Sequence, residues 1–279
     1  MERVRRYERM TAIMHMLSSE PNRVFPLSHF CDMLGIAKST ASEDIAELNS
    51  IAMRFGIGEL HTISGASGGV RFRRCMARGG ALAYIQALSD KLSGASRVLP
   101  GGFLYLSDIL SDPQTVGRMG TILAGEYDGE CPDFVLTMET MGIPVALMTA
   151  DALGVPLLIA RHSSGKVYEG SAVNISYVSG SSGAVETMSL PRRAVREGQR
   201  ALIVDDFLKG GGTAKGMADL MSELNVSVIG MAFVMTTARP EKKRITGEKC
   251  LMIMDIADSE APDARVRPAD WLKEAEHAQ

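Results

Sequence analysis

The chain contains little cysteine, few aromatic residues and no long apolar run. The chain has 279 residues, of which four are cysteines, and aromatic residues make up only 5% of the chain. The cysteines Cys31, Cys75, Cys131 and Cys250 are scattered along the chain without any C-x-x-C pair. This distribution argues against a disulfide-stabilised scaffold. We therefore expect reduced thiols in a cytoplasmic protein.

Signals for membranes, secretion and metals are also missing. No segment approaches the roughly 18 consecutive apolar residues that a membrane-spanning helix needs. The basic start, Met1–Arg6, is followed by a short Met10–Leu17 stretch that lacks the apolar core and cleavage site of a signal peptide. The five histidines do not show the spacing of metal ligands. We expect no membrane partner and no structural metal.

The net charge of −3 hides an uneven distribution. Residues 1–78 carry 11 Lys and Arg against 8 Asp and Glu, whereas residues 79–279 carry 19 against 25. A basic first part on an acidic body points to a nucleic-acid-facing N-terminal segment.

The most informative motif spans residues 201–213, with the sequence Ala-Leu-Ile-Val-Asp-Asp-Phe-Leu-Lys-Gly-Gly-Gly-Thr. Four apolar residues indicate a buried parallel strand, and Asp205 and Asp206 follow at its carboxyl end, where open α/β sheets bind ligands. The Gly-rich turn then leads into a helix whose N-terminal N–H groups suit a phosphate. Because carboxylates repel phosphate but accept hydrogen bonds from hydroxyls, the motif predicts a site for a ribose 5-phosphate.

Other phosphate-binding motifs do not fit this segment. The spacing matches neither G-x-x-x-x-G-K-[ST] nor G-x-G-x-x-G. The strand, the paired acids and the Gly-Gly-Thr together resemble the phosphoribosyl pyrophosphate (PRPP) motif of the type I phosphoribosyltransferases. That resemblance implies that the two acids hold the ribose 2- and 3-hydroxyls, and that residues 206–213 wrap the 5-phosphate. The alternative is an ordinary strand-to-helix turn.

The N-terminal segment predicts three helices and a hairpin. Apolar residues recur at helical spacing over 10–17 and 41–55, and a short helix over Leu27–Leu34 lies between them. Thr40 and Glu43 form a potential capping box for the third helix. A hairpin follows, with strands around 61–63 and 70–73 and a Gly-rich tip between them. This order is typical of a winged helix-turn-helix.

In a winged helix, the third helix enters the major groove of DNA with its N-terminal residues closest to the bases. Basic side chains of the arm and the wing, Arg9 among them, would then contact phosphates. The predicted DNA contacts are Arg3, Arg5, Arg6, Lys38, Ser39, Thr40, Ser42, Arg71 and Arg73. Against this reading, Glu43, Asp44 and Glu47 make the third helix more negative than positive. The alternative is a small packing domain with a solvated helix.

The rest of the chain alternates predicted helices and strands, including a short strand over Leu104–Leu106. This alternation predicts a parallel sheet with helices on both faces. We interpret Ser163–Ser189 as a lid that contains a hairpin. Its alternative is a surface loop.

Three further segments fit a PRPP pocket. Glu139-Thr140-Met141-Gly142 falls where phosphoribosyltransferases carry an acid, a hydroxyl, a basic residue and Gly for pyrophosphate. Met141 replaces the basic residue, so we expect Arg161 and Lys166 to supply the missing charge. The full predicted PRPP site is Thr140, Met141, Arg161, Lys166, Tyr177, Asp205, Asp206, Phe207, Leu208, Lys209, Gly210, Gly211, Gly212 and Thr213.

Two departures argue against catalysis. Lys209 stands where purine-salvage enzymes often place a carboxylate that acts as general base, and a cation cannot take up a proton at neutral pH. No aromatic-rich hood for a base is evident either, because only Phe233 and Trp271 lie beyond residue 207. We expect a pocket that holds PRPP without turning it over and contains no catalytic residues.

The whole arrangement resembles the purine operon repressors of Gram-positive bacteria, except in the tail after about Arg239. Segments shared with that family carry the resemblance: Ala37-Lys38-Ser39, Ser42-Glu43-Asp44, Gly56-Ile57-Gly58, Gly68-Gly69-Val70, Leu99-Pro100-Gly101-Gly102, Asp108-Ile109-Leu110, Tyr177-Val178-Ser179-Gly180-Ser181-Ser182, Thr187-Met188-Ser189-Leu190 and Asp205-Asp206-Phe207. Met141 and His162 stand where members of that family tend to carry Lys.

The resemblance implies an α/β protein in which residues 1–74 form a winged-helix DNA-binding domain and residues 75–279 a phosphoribosyltransferase-like effector domain. It also implies a homodimer that binds double-stranded DNA and represses purine genes. PRPP, accompanied by Mg²⁺, would be its effector, and a guanine alarmone would share the same pocket. The competing function is an active purine phosphoribosyltransferase with an appended nucleic-acid-binding domain.

Overall fold

The computed structural model describes residues 4–65, 68–99, 103–162, 171–179, 183–256 and 264–274. By their internal contacts the residues divide into two compact units. The first runs up to Ala77 and includes Asp151–Gly154, and the second comprises Arg78–Ala150 and the chain from Val155 onward. None of the helices in the described ranges combines the length and the apolar character that crossing a bilayer requires.

The first unit is a winged helix. Its elements are α1 (Arg6–Ser19), α2 (Leu27–Leu34), α3 (Lys38–Arg54), β1 (Glu59–Ile63) and β2 (Gly69–Arg73). The two strands pair antiparallel, so that Leu60 lies opposite Phe72. Their side chains close a core with the apolar faces of the three helices. That core contains Ile13, Leu17, Phe25, Phe30, Leu34, Ile45, Leu48, Ala52, Leu60, Val70 and Phe72.

The predicted capping box at the start of α3 is wrong. The helix begins at Lys38, two residues before Thr40, and Ala37 is its N-cap. The turn from α2 needs a left-handed residue, which Gly35 supplies at a φ of 64°. Thr40 therefore lies inside the first turn of α3, where its hydroxyl cannot act as the N-cap.

The second unit is built on an eight-stranded sheet with helices packed on it. The elements are α4 (Arg78–Leu92), β3 (Val98–Leu99), β4 (Phe103–Leu104), α5 (Ser107–Leu110), α6 (Pro113–Gly125), β5 (Phe134–Met138), α7 (Ile143–Leu153), β6 (Leu157–His162), β7 (Ala172–Val178), β8 (Val185–Pro191), β9 (Arg200–Leu208), α8 (Gly212–Glu223), β10 (Ser227–Thr237), β11 (Lys249–Ile256), β12 (Ala264–Pro268) and α9 (Trp271–Glu274). Short 3₁₀ turns occupy Ala95–Arg97, Asp128–Glu130 and Arg192–Ala194.

The sheet is mixed, which corrects the expectation of a parallel sheet. Its order is β12-β11-β10-β9-β5-β6-β8-β7. The five central strands, from β11 to β6, run parallel. The edges are antiparallel, because β12 turns back along β11 and the β7–β8 hairpin adds to β6.

Alternating side chains of β9 are buried on both faces of the sheet, as a central parallel strand requires. Ala201 and Ile203 belong to the cluster that packs against Met217, Leu220 and Met221 of α8. Leu202, on the other face, is also fully buried. The sequence signalled this strand correctly, whereas the expected strand over Leu104–Leu106 ends at Leu104 and gives way to α5.

Candidate functional site

The paired acids lie near the carboxyl end of β9, between β5 and β10. The strand continues to Leu208, so Asp205 and Asp206 lie inside it rather than after it. The Asp205 side chain is buried and Asp206 is half-buried. One Asp205 oxygen, Oδ1, accepts a hydrogen bond from the Asp206 backbone N–H at 3.0 Å. The side chains of Asp205 and Asp206 thus lie together near the C-terminal ends of the parallel strands.

Both acids are costly to ionise in the unliganded protein. Burial raises the pKa of Asp205 well above its usual range, and the neighbouring Asp206 charge raises it further. Burial also raises the pKa of Asp206. Hydroxyl donors from a ligand would favour the charged carboxylates, because hydrogen bonds to the ionised form lower its free energy. The pair is therefore suited to ligand hydroxyls.

A tight turn leads from β9 into α8. We call Leu208–Gly211 the phosphate loop. Gly211 is the N-cap of α8 and adopts a left-handed φ of 78°, a conformation that favours glycine. The first N–H groups of a helix have no partner inside the helix, and its N-terminus carries a partial positive charge. The turn can therefore hold an anion.

The segment between β5 and α7 forms a second side of the site. It contains Glu139, Thr140 and Met141, and the peptide bond between Glu139 and Thr140 is cis. Glu139 Oε1 accepts a hydrogen bond from the His162 backbone N–H at 2.5 Å. Met141 is 40% exposed. This side of the site thus presents a carboxylate, a hydroxyl and a thioether, and Glu139–Met141 supply no cation.

A chain of polar contacts joins the β7–β8 hairpin to these elements. The Tyr177 hydroxyl donates to Glu186 Oε2 at 2.8 Å, and His162 Nδ1 lies 3.7 Å from the same oxygen. Burial raises the pKa of Tyr177, and its bonds to Glu186 add to that effect while a hydrogen bond with Thr213 opposes it. Glu186 was not predicted, although the hairpin register pairs it directly with Tyr177.

These elements surround one cavity of about 480 Å³. Most of the predicted PRPP residues line it: Thr140, Met141, Tyr177, Asp205, Asp206, Phe207, Leu208, Lys209, Gly210, Gly211, Gly212 and Thr213. Arg161 does not, because alternation along β6 directs the neighbouring His162 to the cavity instead. Lys166 lies outside the described residues.

Aromatic side chains contribute to the cavity wall, although the sequence showed no aromatic-rich hood. Tyr105, Phe207 and Phe233 all line it. Tyr105 belongs to a segment before the sheet that is held by a two-pronged ion pair, with Arg97 Nη1 2.7 Å and Nη2 2.9 Å from the Asp108 oxygens.

The expected lid, Ser163–Ser189, is mainly a hairpin where the structure describes it. Residues 172–178 and 185–189 belong to strands β7 and β8 of the main sheet, as the predicted hairpin requires. Residues 163–170 and 180–182 lie outside the described residues, as do 100–102 of the family-like segments. The described part of this stretch forms a wall of the cavity through Tyr177, Ser179 and Glu186.

In the first unit, the N-terminal turn of α3 presents polar side chains to solvent. Lys38, Ser39 and Ser42 are exposed, and Thr40 is half-buried. Glu43 and Glu47 are exposed on the same helix. Asp44 instead faces the interior and is 1% exposed. The acidic character that argued against a groove-binding helix is therefore smaller at the surface than the sequence suggested.

Asp44 is neutralised by two arginines of α1. Arg9 Nε lies 2.8 Å from Asp44 Oδ2, and Arg6 Nε lies 3.2 Å from Oδ1. The Arg9 side chain is only 12% exposed, whereas that of Arg6 is 58% exposed. Their Nε groups hold α1 against α3, and the expected contact of these arginines with phosphates stays a prediction.

The remaining predicted phosphate contacts differ in their surroundings. Arg5 is exposed, and its Nη1 donates to the Tyr7 hydroxyl at 3.1 Å. Arg71 and Arg73 are half-buried on β2, and Arg73 Nη2 lies 2.5 Å from Glu59 Oε2. Arg3 lies outside the described residues. Arg5 and Lys38 are thus the predicted cations most available to a partner.

Two family models match the chain. One, described as the N-terminal part of bacterial purine repressors, matches residues 5–73. The other, described as the phosphoribosyl transferase domain, matches residues 107–260. In a solved structure, an adenine phosphoribosyltransferase from Rhodothermus marinus, 60% of this chain aligns with 96% of that chain at a TM-score of 0.52 and 20% identity. That likeness shows the fold of the second unit.

Curated relatives match over nearly the full length. The purine biosynthesis transcriptional repressor PurR of Bacillus subtilis is 35% identical over 96% of this chain and 94% of its own length. The purine biosynthesis transcriptional activator PurR of Lactococcus lactis is 36% identical over 91% and 94%, respectively. Identity at this level, sustained through both units, shows that the chain belongs to the PurR family of bacterial purine biosynthesis regulators.

Proposed function

We propose that this chain represses purine biosynthesis and transport genes, binding DNA through residues 1–74 and sensing PRPP through residues 75–279. The observation that carries the proposal is the shared cavity: the paired acids, the phosphate loop and the N-terminus of α8 line it together. The family of regulators to which the chain belongs supports the same role.

PRPP has groups that complement each side of this cavity. Asp205 and Asp206 would accept hydrogen bonds from the ribose hydroxyls, and N–H groups of the phosphate loop and α8 would hold the 5-phosphate. The pyrophosphate would face Thr140 and Met141. Because Glu139 and Glu186 also line this cavity, we propose that Mg²⁺ enters with PRPP and offsets the repulsion between carboxylates and phosphates.

The metal would be carried by the ligand rather than by a cage of the protein. Among the described residues, no group of three or more His, Cys, Asp or Glu side chains could hold a metal ion. Mg²⁺ is commonly bound through one or two carboxylates together with substrate phosphates, so Asp205 and Asp206 fit that role. A guanine alarmone would compete with PRPP, since it carries both a ribose and phosphates.

DNA binding is assigned to the first unit. The exposed first turn of α3, with Lys38, Ser39 and Ser42, would face base edges, and Arg5 would contact phosphate. Helix-turn-helix regulators that form dimers bind two half-sites related by two-fold symmetry, and we propose such a homodimer here.

Non-catalytic sensing is the second element of the proposal. Lys209 lines the cavity where the related enzymes often have a carboxylate, and a lysine ammonium cannot remove a proton from a base. The competing function, an active phosphoribosyltransferase, is favoured by the aromatic wall and by the match of residues 107–260 to the transferase model. Incubation of the protein with PRPP, Mg²⁺ and each common purine or pyrimidine base distinguishes a non-catalytic sensor from an active phosphoribosyltransferase. We expect no pyrophosphate or nucleotide above background. Steady turnover with any base would support the enzyme.

The regulatory role is tested with DNA from upstream of purine genes. In a gel-shift titration we expect specific retardation, which PRPP with Mg²⁺ reverses. Binding that shows no preference for this DNA over a scrambled sequence would contradict the proposal. Relatives of similar identity include both a repressor and an activator, so a promoter–reporter assay must accompany the gel-shift titration. We expect reporter expression to rise when the gene for this protein is deleted.

A further inference from the structure

Three consecutive carbonyl groups of the phosphate loop are held by the segment that ends β10 and follows it. We call Thr236–Ile245 the brace segment. Thr236 Oγ1 donates to the Leu208 carbonyl at 3.0 Å, and Thr237 Oγ1 lies 3.5 Å from the Lys209 carbonyl. The Arg244 backbone N–H donates to the Gly210 carbonyl at 3.1 Å. The brace segment, which is described throughout, contributes no residue to the cavity wall.

The direction of these carbonyls fixes the direction of the N–H groups. In a trans peptide plane the C=O and the N–H point in opposite directions. The brace segment binds the carbonyls of Leu208, Lys209 and Gly210. The N–H group in each of these peptide units, which belongs to the following residue, is therefore turned away from the brace segment and towards the cavity. Successive N–H groups pointing into one concavity form an anion site.

Lys243 holds Thr237 in place on the side of the brace segment. Its Nζ donates to the Thr237 carbonyl at 2.8 Å and lies 2.9 Å from Thr237 Oγ1. Burial lowers the pKa of this half-buried ammonium, which makes its two oxygen partners important for keeping it in place. Thr237 is itself buried, so its hydroxyl can reach the Lys209 carbonyl only in a restricted range of positions.

Apolar packing holds the brace segment close to the loop. Ile245 is buried in a small cluster with Leu208, Ala214, Phe233 and Cys250. A Cβ atom built on Gly211 would lie 3.2 Å from the Arg244 nitrogen. The brace segment therefore contacts the phosphate loop through hydrogen bonds and through packing at the N-cap of α8.

We propose that Lys243, acting through Thr237, is a positioning residue that aims the N–H groups of the phosphate loop at a bound phosphate. This inference rests on the proposed function, because it takes the loop to be a phosphate site. Lys243 itself makes no contact with the ligand. Its effect is to keep the Lys209 carbonyl turned away from the cavity, where it would otherwise repel a phosphate.

The test uses the full chain and ribose 5-phosphate as the probe, with the dissociation constant measured by calorimetry. Lys243→Met keeps an unbranched side chain of similar length but removes the donor, and Thr237→Val removes the hydroxyl with little change of shape. We expect each to weaken ribose 5-phosphate binding about tenfold, the value of one hydrogen-bonded contact. We expect the double variant to bind ribose 5-phosphate with the same affinity as the more strongly affected single variant, because both changes break one network.

Two further variants separate positioning from general stability. Lys243→Arg retains a donor and restores most of the affinity, and Lys242→Met, at an exposed neighbouring position, binds as the unmodified chain does. If Lys243→Met impairs folding, Thr237→Val decides, and an unchanged dissociation constant for it overturns the inference. Normal binding by folded Lys243→Met overturns the inference and leaves the proposed function standing. If the unmodified chain binds neither ribose 5-phosphate nor PRPP, both fail.

Discussion

Gly142 makes room for Asp205. A Cβ atom built on Gly142 would lie 1.9 Å from Asp205 Oδ1 and 2.7 Å from Thr137 Oγ1. Gly142 comes just before α7, whereas Asp205 lies in β9, so the two chain segments meet at the edge of the cavity. The glycine between β5 and α7 thus leaves the space that a carboxylate of β9 occupies.

Gly142→Ala should therefore weaken PRPP binding without touching the ligand directly. The new methyl group must displace the Asp205 carboxylate, and loss of one hydrogen bond to a charged group costs about 1.5–3 kcal/mol. We expect the dissociation constant, measured by calorimetry, to rise roughly ten- to a hundredfold. Gly125→Ala is the matched control, since a Cβ there meets nothing within 4 Å. Equal losses in the two variants would show that the Gly142–Asp205 contact is unimportant.

Met141→Lys should strengthen PRPP binding. The side chain is 40% exposed and lines the cavity, and the proposed function would place the diphosphate beside it. An ion pair at such an exposed position contributes up to about 1 kcal/mol, which corresponds to about fivefold in affinity. The gain should shrink as salt is added, because salt screens exposed charges. Met141→Leu serves as the uncharged control, and a gain of equal size in that variant would rule out the electrostatic explanation.

The buried acids should make the unliganded protein less stable as the pH rises. Folding raises the pKa of Asp205, so the folded chain keeps this proton to a higher pH than the unfolded chain does. The free energy of unfolding therefore falls as the pH rises from about 4, the ordinary pKa of an aspartate, through the raised pKa. Asp205→Asn cannot ionise. We expect it to be more stable than the unmodified chain in urea denaturation at pH 8, with a difference that shrinks towards pH 4. Asp90→Asn, at an exposed position, should show no such trend. A difference independent of pH would mean that Asp205 is not the group responsible.

Much of this fold could be predicted from local patterns. The apolar run over Ala201–Val204 and the helical spacing of apolar residues in α3 both indicated the correct elements. Burial on two faces of a sheet leaves a continuous apolar run, and burial on one face of a helix leaves a periodic pattern. The antiparallel edge strand β12 could not be predicted in the same way, unlike the β7–β8 hairpin. Strand β12 has alternating burial but only five residues, and it pairs with β11 across residues 257–263.

The site residues also divide into those that could be predicted from the sequence and those that could not. The acids and the phosphate loop are contiguous in sequence, so their chemistry could be inferred together. Glu186 and Tyr105 come from distant segments, and only the hairpin register and the Arg97–Asp108 ion pair bring them to the cavity. The ion pairs of Arg6 and Arg9 with Asp44 were not predicted, because a sequence does not reveal that Asp44 faces inward.

DNA binding should depend on Arg5 and Lys38 in different ways. Arg5→Ala should weaken binding to all DNA sequences and lower the slope of log affinity against log salt by about 0.9, the effect of one lost phosphate contact. Lys38→Ala should mainly reduce the preference for purine-gene DNA over scrambled DNA, because the proposed docking would place the first turn of α3 against base edges. Arg54→Ala, about 24 Å away along α3, is the control. If Arg5→Ala leaves the salt slope unchanged, the predicted docking is wrong.

The most direct test of the account is DNA affinity as a function of PRPP concentration, with Mg²⁺ present, for the unmodified chain and for Asp205→Ala/Asp206→Ala. If PRPP and DNA oppose each other through the cavity, each lowers affinity for the other by the same factor. We expect PRPP to release DNA from the unmodified chain, whereas the double variant folds, binds DNA with the same affinity and keeps it at every PRPP concentration. Release of DNA from the double variant at the same PRPP concentration would contradict the assignment of the paired acids as the ribose site.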